Sequence, residues 1–390
     1  MTNTAVPSAS TFLNAPEEHI SGTQWAFTAC CFLMGTILRS GMINSIMDNE
    51  SWLISFTGAV AFIPLMLIYL ALTRRFPGMN LFQIADAALG KVGGFIVSAM
   101  LCVFYIMLAT VNLMEIGSFV TGYLISGTPF LAVMIAAALA AAYVLTKGMG
   151  ALSRLIPLIT ILTGAMLLIN WAQSLSAADF SNLLPMFNKP APSYIHATAV
   201  ALAIPYGESL TMFALMPMVG PQQDMKRPML GTMAITCAVM LLVHIREIVT
   251  LGPMLTYTSL PTYEVMRMID SSSTFTRTES VFAIQLMTLS FIKATIIIYA
   301  LSRGLAHITR LELIKPNNAT NSSGSAHKAI VLPVCLFIAV YATTFHETPY
   351  NNIAWYVNVA PIIWLVFEAA LPIVMLAAGA LRGRRREAAV

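Results

Sequence analysis

The sequence predicts an all-α polytopic membrane protein of about ten transmembrane helices, a five-plus-five inverted repeat with helices one and six broken. Three observations carry that reading: helix-length apolar runs, an uneven sharing of basic residues between the two sets of loops, and interruptions at matching depth in two of the runs. Mean hydropathy is +0.78, with 58% hydrophobic and 10% charged residues. Ordinary soluble domains carry about 25% charged residues, so these apolar side chains are too many for one buried core. They fall into runs of the length that a hydrocarbon slab about 30 Å thick demands of a helix, about 20 residues each. The strand-length alternation of an outer-membrane barrel is absent from the sequence.

Apolar runs and their breakers place the spans at 24–47, 51–73, 93–124, 129–146, 155–172, 194–219, 229–249, 281–304, 329–345 and 354–381. Residues 1–23 form a polar cytoplasmic segment lacking the basic start and cleavage site of a signal peptide. Residues 24–381 make one permease-like membrane domain, and 382–390 a basic cytoplasmic tail. Arg74-Arg75-Phe76-Pro77 ends the second span sharply. Asn80 then caps a short cytoplasmic surface helix whose Leu81, Ile84, Ala85 and Ala88 share one face. Pro261–Asp270 reads as a surface helix lying over the outer entrance, and Asn317–Ser325 as a flexible polar linker.

Basic residues orient these spans. Of the 21 Lys and Arg residues, fifteen lie on one set of loops, among them Arg74, Arg75, Lys147, Arg154 and the tail Arg382–Arg386. The opposite set holds three, Lys189, Arg267 and Arg277. Cytoplasmic loops carry the excess of Lys and Arg, which puts both termini inside.

The interruptions point to a ligand site. Pro205-Tyr206-Gly207-Glu208 falls about eleven residues into span six, and Gly35-Thr36 about eleven into span one. The two reach mid-bilayer from opposite sides. Irregular backbone survives at that depth only where protein or a water-filled cavity covers it, and paired breaks mark the binding site of inverted-repeat transporters. Freed amides attract an anionic group and freed carbonyls a cation, so an amino acid suits such a site. The plainer alternative is a packing glycine in span one and a proline kink in span six. Glu208 weighs against it, because a mid-membrane carboxylate is costly without a partner or a proton.

Two polar stripes accompany the breaks. Span three carries Ser98, Cys102, Tyr105, Ala109 and Asn112 on one face; span eight carries Gln285, Thr288, Ile292, Thr295, Tyr299 and Ser302. They line a site or bridge neighbouring helices. Lys293 lies near the midplane with Glu208 and Glu368 as candidate partners, either as a fixed cation replacing a coupling ion, as a proton site, or as half of a structural ion pair. Arg39, Glu115, His244, Arg246 and Glu247 fall toward the outer ends of their spans, where long side chains reach the interface.

Signals of soluble chemistry are missing: no phosphate-cradling glycine loop, no His/Cys metal cluster, no nucleophile beside a histidine. An enzyme, a cofactor and a metal are therefore not expected. The five cysteines sit in apolar runs and read as small buried hydrophobes. The basic tail suits anionic membrane lipid, not nucleic acid.

The run Pro205-Tyr-Gly-Glu-Ser-Leu-Thr-Met-Phe-Ala-Leu-Met-Pro217 resembles the helix-six signature of the spore germination permeases, the B subunits of nutrient germinant receptors. Leu260-Pro-Thr-Tyr-Glu-Val-Met-Arg267, Phe275-Thr-Arg277-Thr-Glu279 and Phe291-Ile-Lys293 are similar to that family's most distinctive stretch, and Arg74-Arg-Phe-Pro77, Gly127-Thr-Pro129, Lys147-Gly148 and Leu183-Leu-Pro185 add weaker matches in order. The resemblance implies a LeuT-type member of the amino acid–polyamine–organocation (APC) superfamily in the inner membrane of a bacterial spore. It implies complexes with germinant receptor A and C subunits and a small nutrient, an amino acid, as ligand. Carried onto this chain, it points to Gly35, Pro205–Glu208, Lys293, Thr295 and Tyr299. Two functions share that scaffold, a receptor that reads its ligand and an ion-coupled amino-acid symporter that moves it.

Overall fold

The computed structural model describes residues 19–38, 40–270, 278–310, 326–344 and 349–387. The first 18 residues, Arg39, Arg277 and the linker 317–325 lie outside these. The described helices are α1 (Gly22–Ile37), α2 (Gly41–Met47), α3 (Ser51–Arg75), α4 (Leu81–Phe119), α5 (Phe130–Lys147), α6 (Met149–Ser174), α7 (Ala191–Ala201) and α8 (Met216–Val219). They continue as α9 (Lys226–Leu251), α10 (Pro261–Asp270), α11 (Thr278–Ile308), α12 (Ala326–Thr344), α13 (Pro349–Asn358), α14 (Ala360–Leu365) and α15 (Leu371–Glu387).

Among the described residues, eight helical stretches are long and apolar enough to cross a membrane, and Ala329–Thr344 is a shorter apolar helix. The count therefore departs from ten at spans one and nine. Span one contains α1, only 16 residues long and set apart from α2 by a turn. The stretches divide into a centre and a rim. In Ala191–Val219 and Glu279–Ile308, 83% and 72% of the most apolar window is buried, against 28% in Phe130–Lys147. On α3, Phe56, Val60, Ile63 and Leu67 are exposed along one face, as a helix bordered by lipid requires.

Local sequence explains the elements near the site. Ser21 caps α1 and Asn80 caps α4, each in a reciprocal capping box, with Gln24 and Gln83 respectively. The surface helix foreseen after Asn80 forms the first turns of α4; Gly90, at φ 80°, then redirects the chain into the membrane span. α10 occupies the foreseen range.

Both central helices break, but not symmetrically about the foreseen residues. Span six loses helical geometry at Ile204 (φ −132°, ψ 106°), beside Pro205, and continues as a 3₁₀ segment over Gly207–Leu215. Pro205 supplies no amide hydrogen and so cannot sustain the ladder. Span one stays helical through Gly35 and Thr36 and turns at Leu38 and Ser40, so its break lies two to three residues beyond the foreseen one.

Candidate functional site

The site is assembled where these two breaks pass α11. Lys293 extends its ammonium Nζ to the Thr36 hydroxyl at 2.5 Å and to Glu208 Oε2 at 2.7 Å. The Thr36 hydroxyl also lies 3.0 Å from Glu208 Oε2. One ammonium, one hydroxyl and one carboxylate thereby bridge the end of α1, the 3₁₀ half of span six and the middle of α11. Lys293 and Glu208 are both buried. Nζ lies 5.3 Å from the centre of the Phe32 ring, whose face attracts a cation. In apolar surroundings either charge alone is costly, and the pair fixes three elements at once.

Gly35 serves this arrangement by closeness. A Cβ there would stand 3.3 Å from the Leu289 carbonyl oxygen and 3.6 Å from Lys293 Cδ. The residue read as a break is thus the packing glycine that lets α1 and α11 approach. Gly207 has the corresponding role on the other side: a Cβ would collide with the Glu368 carboxylate and come within 2.9 Å of the Leu202 carbonyl oxygen.

Glu368 sits in a π-helical turn, Val366–Ala370, between α14 and α15 and is fully buried. Among the described residues neither carboxylate oxygen has a hydrogen-bond partner. Lys293 therefore hydrogen-bonds only one of its two foreseen partners here. Tyr69 of α3, which sequence reasoning missed, ties the two irregular turns together: its hydroxyl donates to the Glu368 carbonyl at 2.7 Å and reaches the Gly207 carbonyl at 3.4 Å. Nothing in the apolar run of α3 distinguishes that tyrosine from a lipid-facing one.

The remaining candidates lie elsewhere. Tyr206 stacks on Phe62, with ring centres 5.6 Å apart, and donates to the Ser55 carbonyl at 2.9 Å. Tyr105 is buried between Phe82 and Phe104. Asn112 is buried with its Oδ1 unpartnered among the described residues. On α11, Thr288 and Thr295 bond back to the carbonyls of Ile284 and Phe291, four residues earlier. Gln285 donates to the Thr163 carbonyl, and the Tyr299 hydroxyl lies 3.9 Å from Met218 Sδ. The stripe thus bonds within α11 and to α6 and α8. Thr295, two residues from Lys293, faces away from the ion pair, because a helix turns about 100° per residue.

A second polar cluster lies nearer the outer end of α9, and the interfacial reading of its residues is corrected. His244, Arg246 and Glu247 are buried, at 1%, 0% and 0% exposure, because α2, α3 and α10 cover them. Glu247 accepts from Ser40 at 2.6 Å, from Asn44 at 2.8 Å and from Thr262 of α10. His244 Nδ1 lies 3.2 Å from the Ser55 hydroxyl. Glu115 is half-buried and accepts from the Tyr356 hydroxyl at 2.9 Å. Glu247 thereby also accounts for the position of the break in span one, since it holds Ser40 at the turn.

Comparison with known proteins places this architecture. A structure of a Na+-coupled sialic acid symporter in a substrate-bound, outward-open state superposes with a TM-score of 0.63, covering 92% of this chain and 82% of the symporter at 10% identity. That likeness establishes the LeuT-type fold. Spore germination protein KB of Bacillus subtilis (strain 168) is 21% identical over 350 residues, 88% of this chain and 90% of the relative. The family model for spore germination proteins matches residues 19–356, which include both breaks and the Thr36–Lys293–Glu208 bridge. The chain belongs to the spore germination permease family.

Proposed function

We propose that this protein is the B subunit of a nutrient germinant receptor of the spore inner membrane, with both termini cytoplasmic. It binds a small nutrient, an amino acid, between the two helix breaks and signals through A and C partner subunits. The observation that carries this reading is the Thr36–Lys293–Glu208 bridge, which joins the two broken helices to α11 through polar groups that an amino acid can replace. A ligand ammonium competes with Lys293 for Glu208; a ligand carboxylate competes with Glu208 for Lys293. Either exchange loosens one helix from another. A ligand shifts a conformational equilibrium only through such differential contacts.

Thermal unfolding of the purified protein across an amino-acid panel tests this. At a hundredfold excess over Kd a ligand stabilises by about 2.7 kcal/mol. At least one amino acid is expected to raise the midpoint in wild type and not in Thr36→Val. Stabilisation that survives in full in Thr36→Val places the ligand elsewhere. Accumulation of the same amino acid inside proteoliposomes by the protein alone would reassign it as a symporter.

A further inference from the structure

The charged groups at the break do not balance. Lys293 and Glu208 pair at 2.7 Å, so one ammonium serves two buried carboxylates, Glu208 and Glu368. Glu368 is fully buried, and neither of its oxygens has a hydrogen-bond partner among the described residues. Among the described residues, the charged and titratable groups facing it are Glu208 and Lys293 of the ion pair, Tyr69 of α3 and Tyr105 of α4. Of these only Lys293 is cationic, and it donates hydrogen bonds to Thr36 and Glu208. The Tyr69 hydroxyl is committed to carbonyls. An isolated carboxylate in an apolar interior acquires a positive charge or destabilises the fold.

We propose that Glu368 is a binding site for one positive charge taken from solution, a proton or an alkali-metal cation, held against the break in span six. Gly207 makes room for the carboxylate itself, because its missing side chain lets Glu368 abut the backbone of the broken segment. Occupied, the site keeps the 3₁₀ half of span six and the π turn of Val366–Ala370 together. Empty, it sets two carboxylates, Glu208 and Glu368, on either side of one ammonium. This site stands whether or not the nutrient reading is right, and it is tested without any nutrient present.

The full-length protein is unfolded thermally in detergent in two series. One varies pH in choline chloride; the other replaces choline with Na+ or K+ at fixed pH. If the charge is a proton, the folded state binds more protons than the unfolded one, so the wild-type midpoint falls by several degrees as pH rises. If it is a metal cation, the midpoint rises with Na+ or K+. Glu368→Gln carries no charge to satisfy and is expected to lose that dependence, while Glu368→Asp keeps it. Infrared difference spectra separate the two sources, because a neutral carboxyl group shows a carbonyl stretch that Glu368→Gln removes. A wild-type midpoint flat in both series overturns the proposal, as does full retention of the dependence in Glu368→Gln. Should Glu368→Gln fail to express, the two wild-type series and Glu368→Asp still decide.

Discussion

Lys293 and Glu208 form a buried ion pair, Nζ to Oε2 2.7 Å, with side chains only 4% and 3% exposed. Its two members come from α11 and from the 3₁₀ half of span six, 85 residues apart. The pair also engages Thr36, next to the turn that ends α1. In soluble proteins such a pair is weak evidence for stability, since desolvation offsets attraction. Its value here lies in what it joins, because three elements share one set of polar contacts.

Removal of one partner is therefore expected to be worse than removal of both. Lys293→Met leaves Glu208 charged and unpaired, a loss on the order of 3–5 kcal/mol. Lys293→Met combined with Glu208→Gln removes the charge on each side and recovers much of the folded yield. Fluorescence-detected gel filtration of the three proteins measures this. A double variant no better folded than Lys293→Met would show that the pair has no coupling of its own.

Gly207 is expected to be intolerant even of alanine. Its Cβ would collide with the Glu368 carboxylate and stand 2.9 Å from a backbone oxygen, which does not move aside as a side-chain tip can. Overpacking of this kind costs about 1–3 kcal/mol. Gly207→Ala should insert into the membrane and lose the nutrient response in a germination assay. Gly207→Ala combined with Glu368→Ala, which clears the carboxylate but not the Leu202 carbonyl, should regain only part of the folded stability. A normal response from well-expressed Gly207→Ala removes the reason for placing the site at this break.

The two breaks were not equally legible in the sequence. Proline cannot complete a helical ladder, so Pro205 announces its break locally. The turn at Leu38 and Ser40 has no proline, only Gly41 just after it, and Gly35, the glycine read as the break, proved to be a packing contact. What ends α1 is tertiary: Glu247, 207 residues away, binds the Ser40 hydroxyl. The same limit governs the charges. Counting depth put Arg246 and Glu247 near an interface, but depth says nothing about which helix lies across the mouth, and α2 and α10 close over them. The polar stripe of α11 shows a related limit. Thr288 and Thr295 have the right period, yet each hydroxyl is satisfied by its own helix, an outcome that threonine spacing does not reveal.

Topology is testable by labelling. The fifteen-to-three sharing of basic residues predicts that the Lys147–Arg154 connection is cytoplasmic. Lys147 and Ser181 are both exposed, at opposite ends of α6. Lys147→Cys should react only after the membrane is opened, and Ser181→Cys from outside. The native cysteines Cys30, Cys31, Cys102 and Cys335 are buried, and Cys237 is half-buried, so background is low. Labelling of both positions from one side would contradict the antiparallel arrangement of the two halves.

The last expectation concerns Glu247 and the surface helix above it. Glu247 is the common acceptor for Ser40 of the turn, Asn44 of α2 and Thr262 of α10. Hydrogen bonds to a charged group are worth about 1.5–3 kcal/mol each. Glu247→Ala removes the acceptor from all three donors and leaves Arg246 without its neighbouring negative charge. α10 should then detach more readily, because its first turn loses its anchor in the bundle. Hydrogen exchange over 261–270 is expected to accelerate at least tenfold in Glu247→Ala, with exchange in the core of α11 little changed. Thr262→Val cuts one of the three bonds and keeps the charge, so it should give a smaller acceleration confined to α10. If α10 lies over the entrance to the site, both variants speed association and dissociation of a bound amino acid together and alter Kd little. Unchanged exchange in Glu247→Ala would mean that apolar packing of α10's own Val265, Met266 and Ile269, all buried, holds the helix without this anchor.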